Sequence, residues 1–205
     1  MALSTWLAFL LAAILIAVSP GPGAATSMSV GLRHGYLAAL RAIGGLQAAL
    51  LIQLGIVFAG LGALLMASTT AFEIMKFVGA GYLVWLGIQK WREIPHALDD
   101  TSAVNRPNGL FLQGLLVNLT NPKAIVFMAA LTPQFIDPAR SQWLQFLILS
   151  ATMCGVDTLV MSGYALLASR LRRWLRDLRA MKAQNRFFGG VFVGAGVLLA
   201  TTSRN

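Results

Sequence analysis

Charge is scarce in this chain. Of 205 residues only 11% are Asp, Glu, Lys or Arg, while 57% are hydrophobic and mean hydropathy is +0.71. A soluble domain carries roughly 25% charged residues. A core of this size needs a polar coat, and too few charges are present to make one. Cysteine occurs once, at Cys154, which excludes an intrachain disulfide and a cysteine-built zinc or iron–sulfur centre. The histidines, His34 and His96, are isolated and give no metal-ligand spacing. No nucleophile–base pair or phosphate loop is visible, so no catalytic residue, metal or cofactor is expected. Acids are scarcest: 7 against 16 Lys plus Arg, for a net charge of +9 and a pI near 10.9. The cations gather between apolar runs and form no aromatic-interleaved basic face. Their expected partner is anionic lipid, not nucleic acid. What remains is an all-α integral membrane protein in a lipid bilayer.

Six apolar runs are present. The first covers Ala2 to Val18 and continues, after Ser19-Pro20-Gly21-Pro22, through Gly23 to Leu32. It has no Lys or Arg before Arg33, so it lacks the basic start of a signal peptide and is expected to be retained. The others cover Leu37 to Met66, Phe72 to Trp91, Gly109 to Thr132, Trp143 to Leu167 and Phe187 to Thr202. A span needs about 20 apolar residues, which predicts six transmembrane helices. A polar linker occupies about residues 92–108. Twelve of the 16 cations fall in the three odd loops, around Arg33 and Arg41, around Lys90, Arg92 and Arg106, and from Arg170 to Arg186. The positive-inside rule makes those loops cytoplasmic and puts both termini outside. Within residues 169–186, Leu171, Trp174, Leu175, Leu178 and Met181 recur at helical spacing opposite arginines. This reads as an amphipathic helix in the headgroup layer, an anchor or alternatively a gate or lipid sensor.

The halves resemble each other. Lys76-Phe77-Val78-Gly79-Ala80-Gly81-Tyr82 and Arg186-Phe187-Phe188-Gly189-Gly190-Val191-Phe192 share one pattern at an offset of 110 residues. Prolines interrupt the first and fourth runs, with Pro20 and Pro122 lying 102 residues apart. Three spans per copy is odd, so the second copy enters the membrane upside down. Two inverted three-helix repeats, about 1–91 and 109–205, with broken helices one and four, form one domain over 1–205. Matched breaks of this kind point to a transporter binding site.

Proline removes a backbone donor and clashes with the preceding turn. Pro20 and Pro22, beside Gly21 and Gly23, are expected to unwind the first helix. Unwound carbonyls bind cations, and a restarted half-helix offers N–H groups to a carboxylate. Asn118, Thr120 and Asn121, around Pro122, either read the polar ends of a substrate or cap the broken helix. Lys123 and Asp157 lie about 20 and 16 Å into their spans. A charge at that depth costs at least ~2.5 kcal/mol and needs a partner or a cavity. Either Asp157 exchanges a proton during transport, or the two form a static ion pair. The many glycines read as close helix contacts, which also permit a homodimer.

The text resembles the LysE/Rht family of amino-acid exporters. The resemblance rests on Ser19-Pro20-Gly21-Pro22-Gly23-Ala24, Gly44-Gly45-Leu46-Gln47, Phe77 to Gln89, Val117-Asn118-Leu119-Thr120-Asn121-Pro122-Lys123 and Pro133-Gln134-Phe135-Ile136, and covers essentially the whole chain. Many relatives carry Asp or Asn after Pro-Gly-Pro, whereas this chain has Gly23. A small residue there is similar to the homoserine-exporting branch, and it shifts proton coupling onto Asp157. The resemblance implies efflux of small neutral amino acids across the bacterial inner membrane by proton antiport. Homoserine and its lactone are the expected substrates, with threonine as an alternative. Ser19, Pro20, Gly21, Pro22, Gly23, Asn118, Thr120, Asn121, Pro122 and Lys123 would form the substrate site.

Overall fold

The computed structural model describes residues 1–67, 69–92, 109–137, 139–168 and 178–201. Among these residues the protein is helical and has no strand. The elements are α1 (Leu3–Val18), α2 (Pro22–His34), α3 (Tyr36–Ala67), α4 (Thr69–Arg92), α5 (Leu110–Leu119), α6 (Pro122–Val126), a π-helical turn (Phe127–Leu131), a 3₁₀ turn (Thr132–Phe135), α7 (Gln142–Leu166) and α8 (Leu178–Thr201).

The breaks fall at the prolines. α1 meets α2 at 56° and α5 meets the segment from Pro122 to Phe135 at 57°. Pro22 and Pro122 each open the restarted helix, where a missing N–H takes nothing from that helix's own ladder, though it leaves a carbonyl of the preceding helix without its donor. Gly35 joins α2 to α3 with a φ of +80°, a left-handed conformation that favours glycine. Residues Tyr36–Gly60 of α3 and all 25 residues of α7 are long and apolar enough to cross a membrane, and each bent pair makes a further candidate span. α4 and α8, of 24 residues each, are long enough at about 36 Å. They are not among the candidates found on length and composition within the described residues.

Apolar patterning explains the packing. Along α1, Leu3, Leu7, Leu11, Ile14 and Val18 form an exposed stripe at spacings of three and four. The opposite face buries Phe9, Ala13 and Ile16 against Phe127, Met128, Leu149 and Met153. An exposed aliphatic stripe suits a lipid solvent, which needs no polar coat. α3 packs against α2, α5 and α7, while α1 and α2 lie along α7. α4 and α8 pair closely and join the rest through α3, α6 and the π turn. Glycine permits the closest approaches. A Cβ on Gly87 would lie 2.6 Å from the Gly189 carbonyl oxygen, and one on Gly196 would lie 2.7 Å from that of Ala80.

Several boundaries differ from the sequence reading. The sixth helix is already formed at Leu178, the first residue described there and nine residues before Phe187, so residues 178–186 belong to α8. The rest of the expected amphipathic helix, 169–177, lies outside the described residues, as does 93–108 of the linker. The fourth run closes as a π turn and a 3₁₀ turn ending at Phe135. Pro133 explains this ending, since proline cannot donate to a continuing helical ladder.

Candidate functional site

The breaks meet, and each proline leaves a trace. In an α-helix the carbonyl of residue i accepts from the N–H of residue i+4. Pro20, Pro22 and Pro122 therefore withhold donors from Ile16, Val18 and Asn118. A side chain from the other half of the molecule reaches each of these carbonyls. Lys123 Nζ donates to Ile16 O at 2.9 Å and also to Ser19 O. Tyr164 Oη donates to Val18 O at 2.7 Å. Gln53 Nε2 donates to Asn118 O at 3.0 Å, a carbonyl that Asn121 N also reaches at 3.2 Å. A buried backbone carbonyl without a donor costs about as much as a lost hydrogen bond, and these side chains make good the loss.

The asparagines hold the second break together. Asn118, 5% exposed, donates Nδ2 to Leu46 O at 2.9 Å and accepts Asn121 Nδ2 on its Oδ1 at 3.2 Å. Asn121 caps α6 by accepting Lys123 N on Oδ1 at 3.1 Å. Of the two roles open to Asn121, helix capping is realised. Thr120 is exposed and turned away. Its hydroxyl donates to Leu116 O at 2.8 Å, a bond that closes the end of α5, and it lines neither cavity of the site.

Lys123 and Asp157 share a chamber but not a salt bridge. Lys123 holds the carbonyls of the first break, and Asp157 accepts Gln47 Nε2 on Oδ2 at 2.7 Å. The static ion pair considered from sequence is thus not formed. Two released carbonyls beside the ammonium satisfy it locally, and an amide does the same for the carboxylate. The chamber between them, about 30 Å³ in volume, is also lined by Gly21, Gly23, Asn118 and Asn121. That volume admits a water or two, not an amino acid. On the other side of Gly21, Asn121 and Lys123 lies a vestibule of about 770 Å³, which Ser19, Pro20 and Pro22 also line. Small-molecule pockets run from roughly 300 to 1,000 Å³. The layer of Gly21, Asn121 and Lys123 therefore borders both a ligand-sized vestibule and a water-sized chamber.

Three participants escaped the sequence reading as site residues: Gln47, Gln53 and Tyr164. The i–4 rule names the carbonyls that the prolines release, but not which distant side chain reaches them. Polar residues at mid-span were the available signal for the two glutamines. Gln53 is 7% exposed, and the Oε1 atoms of both glutamines are buried without a partner.

Residues 14–203 match the family model described as "LysE type translocator". The chain is 48% identical over 200 residues to a protein of Salmonella typhimurium named "Homoserine/homoserine lactone efflux protein", covering 96% of both chains. It is 46% identical over 202 residues to an "Uncharacterized membrane protein" of Vibrio cholerae, covering 98% of both. It is 30% identical over 200 residues to a "Leucine efflux protein" of Klebsiella pneumoniae, covering 96% of this chain and 94% of that one. No solved structure matches the chain. With the family model spanning nearly all of it, and with apolar helices broken by proline at its centre, this membrane protein belongs to the LysE type translocator family, whose members carry solutes and are not enzymes.

Proposed function

We propose that the protein exports homoserine and homoserine lactone from the bacterial cytoplasm across the inner membrane by proton antiport. The observation that carries the substrate is the 48% identity, over 96% of both chains, to relatives bearing that efflux name. The vestibule suits a small amino acid in volume and opens beside Lys90 and Arg92, on the end of α4 that the cation distribution makes cytoplasmic. Ser19, Pro20, Gly21, Pro22, Gly23, Asn121, Pro122 and Lys123 surround the layer where substrate would bind.

The architecture in this reading is six spans in two inverted halves, with α1–α2 equivalent to α5–α6 and its following turns, α3 to α7, and α4 to α8. Two features support it. Exchange of the halves turns the α3–α5 interface into the α7–α1 interface, and leaves the α4–α8 pair facing itself. Gln47 and Asp157, which bond to each other, stand 110 residues apart, the offset of the sequence repeat. Equivalent positions touch in this way only beside a pseudo-twofold axis. Rocking of one half against the other about that axis would expose the site to each side in turn.

Export against a gradient needs an energy source. A proton moving inward through 100 mV supplies about 2.3 kcal/mol, and Asp157 is the acid placed to exchange it. The functional class is tested by growth on toxic homoserine with and without overexpression. Overexpression is expected to raise tolerance. A correctly inserted protein that gives no tolerance to any amino acid would mark a non-transporting membrane protein.

A further inference from the structure

Lys123 does two things that are seldom combined. Its ammonium replaces the N–H that Pro20 cannot supply, through Ile16 O and Ser19 O. It also lines both the vestibule and the water-sized chamber. An ordinary helix cap does not sit on a solute path. The neighbouring Ser19 lines the vestibule, is 0% exposed, and has a buried Oγ with no hydrogen-bond partner. A buried hydroxyl without a partner is rare and calls for an explanation. Gly21 keeps the approach to the ammonium clear, since a Cβ there would stand 3.4 Å from Nζ.

We propose that Lys123 is a substrate-operated latch that reads the carboxylate of a zwitterionic amino acid, so that it distinguishes an amino acid from its lactone. This rests on the efflux reading above. In the latched state the ammonium is held by neutral carbonyl oxygens. An ionised carboxylate brings a full opposite charge that a carbonyl lacks, and so competes with the carbonyls for the ammonium. An arriving amino acid takes the Lys123 ammonium onto its carboxylate. It fills the vacated Ile16 O and Ser19 O with its own ammonium, and Ser19 Oγ gains a partner. Every cation–carbonyl contact is replaced, and one charge-assisted pair is added. The link from α6 to the first break is thereby released, because the substrate and not the lysine now holds the carbonyls. That release gives binding a differential effect on two conformations, which any ligand-driven switch requires. A lactone carries the ammonium but no carboxylate. It has nothing to receive the Lys123 ammonium, so two cations compete for the same carbonyls and removal of the lysine charge does not slow its passage.

The test is Lys123→Gln, which keeps an N–H donor for the carbonyls and removes the charge. Uptake of radiolabelled homoserine and of homoserine lactone into inverted vesicles is measured for the wild type and the variant. Wild-type transport of neither solute defeats the efflux reading itself. With wild-type transport of both, homoserine transport by the variant is expected to fall about 10- to 100-fold, the value of one charge-assisted bond. Lactone transport is expected to be retained or raised, because the competing cation is gone, and this also shows that the variant is folded. Equal loss of both solutes in an inserted variant, or loss of neither, overturns the proposal. Should Lys123→Gln fail to insert, Lys123→Met is measured in the same way. Failure of both to insert would make the ammonium an obligatory structural cap and would equally overturn it.

Discussion

Among the described glycines the closest backbone approaches lie between α3 and α5, and they yield a sharp prediction. A Cβ added at Gly114 would stand 1.9 Å from Ala42 O and 3.1 Å from Leu46 N. One added at Gly45 would stand 1.9 Å from Phe111 O and 2.7 Å from Leu115 N. Ordinary contact begins near 3.4 Å, so either alanine forces the helices apart by about 1.5 Å. The obstacles are backbone atoms, which cannot rotate aside. Overpacking costs typically ~1–3 kcal/mol, and here the upper end is expected. The same displacement pulls on the 2.9 Å bond from Asn118 Nδ2 to Leu46 O and the 3.0 Å bond from Gln53 Nε2 to Asn118 O. Bonds between membrane helices average ~0.6 kcal/mol and reach ~1.7. Gly114→Ala is therefore expected to cost about 3 kcal/mol and to impair export, because the second break loses its ties to α3. One separation relieves both clashes, so Gly45→Ala with Gly114→Ala should cost little more than either alone, a coupling of about 2 kcal/mol or more. Gly55 and Gly81, where nothing lies within 4 Å of the added carbon, are the controls. Alanine there should be neutral or stabilising by up to ~1 kcal/mol. Denaturant unfolding in detergent, followed by tryptophan fluorescence, measures all of these. Gly114→Ala within ~0.5 kcal/mol of the wild type, or additive single costs, would refute the packing argument.

Asp157→Asn should insert normally and lose uphill export while downhill exchange persists, as proteoliposomes with an imposed pH gradient would show; near wild-type uphill export would leave Asp157 with only its bond to Gln47. Asn118→Leu removes ties to Leu46 and Asn121 at a buried site and should cost ~1–3 kcal/mol with a matching loss of export, whereas exposed Thr120→Val should change export less than about twofold; a larger loss at Thr120 would return it to the site. Cysteine placed at residues 2 and 204, in a Cys154→Ser background, should label from outside intact cells, and labelling of residue 2 only after permeabilisation would invert the proposed orientation.

Composition and local residue order were enough to read a lipid solvent, a helical class and the position of the breaks. Those properties are local or cumulative. Eleven per cent charge cannot coat a soluble core, and a proline removes its own N–H wherever the chain later goes. Pro20, Pro22 and Pro122 therefore named the unwound segments, and with them the released carbonyls of Ile16, Val18 and Asn118. The limits of the sixth helix were less legible, because arginine-flanked leucines satisfy an interfacial helix and the start of a longer one equally well. What fills the gaps in the backbone depends on how the folded helices meet. Lys123, Tyr164 and Gln53 reach those carbonyls from 107, 146 and 65 residues away. Depth in a span placed Lys123 and Asp157 at similar heights but carried no information on direction. The structure turned the lysine to the first break and gave the aspartate to Gln47. Thr120 and Asn121 are neighbours in sequence, yet one faces outward and the other caps a helix in the interior. Which of several nearby polar groups satisfies a released carbonyl depends on how the helices cross, and that is set by where Gly45, Gly87, Gly114 and Gly189 let backbones touch.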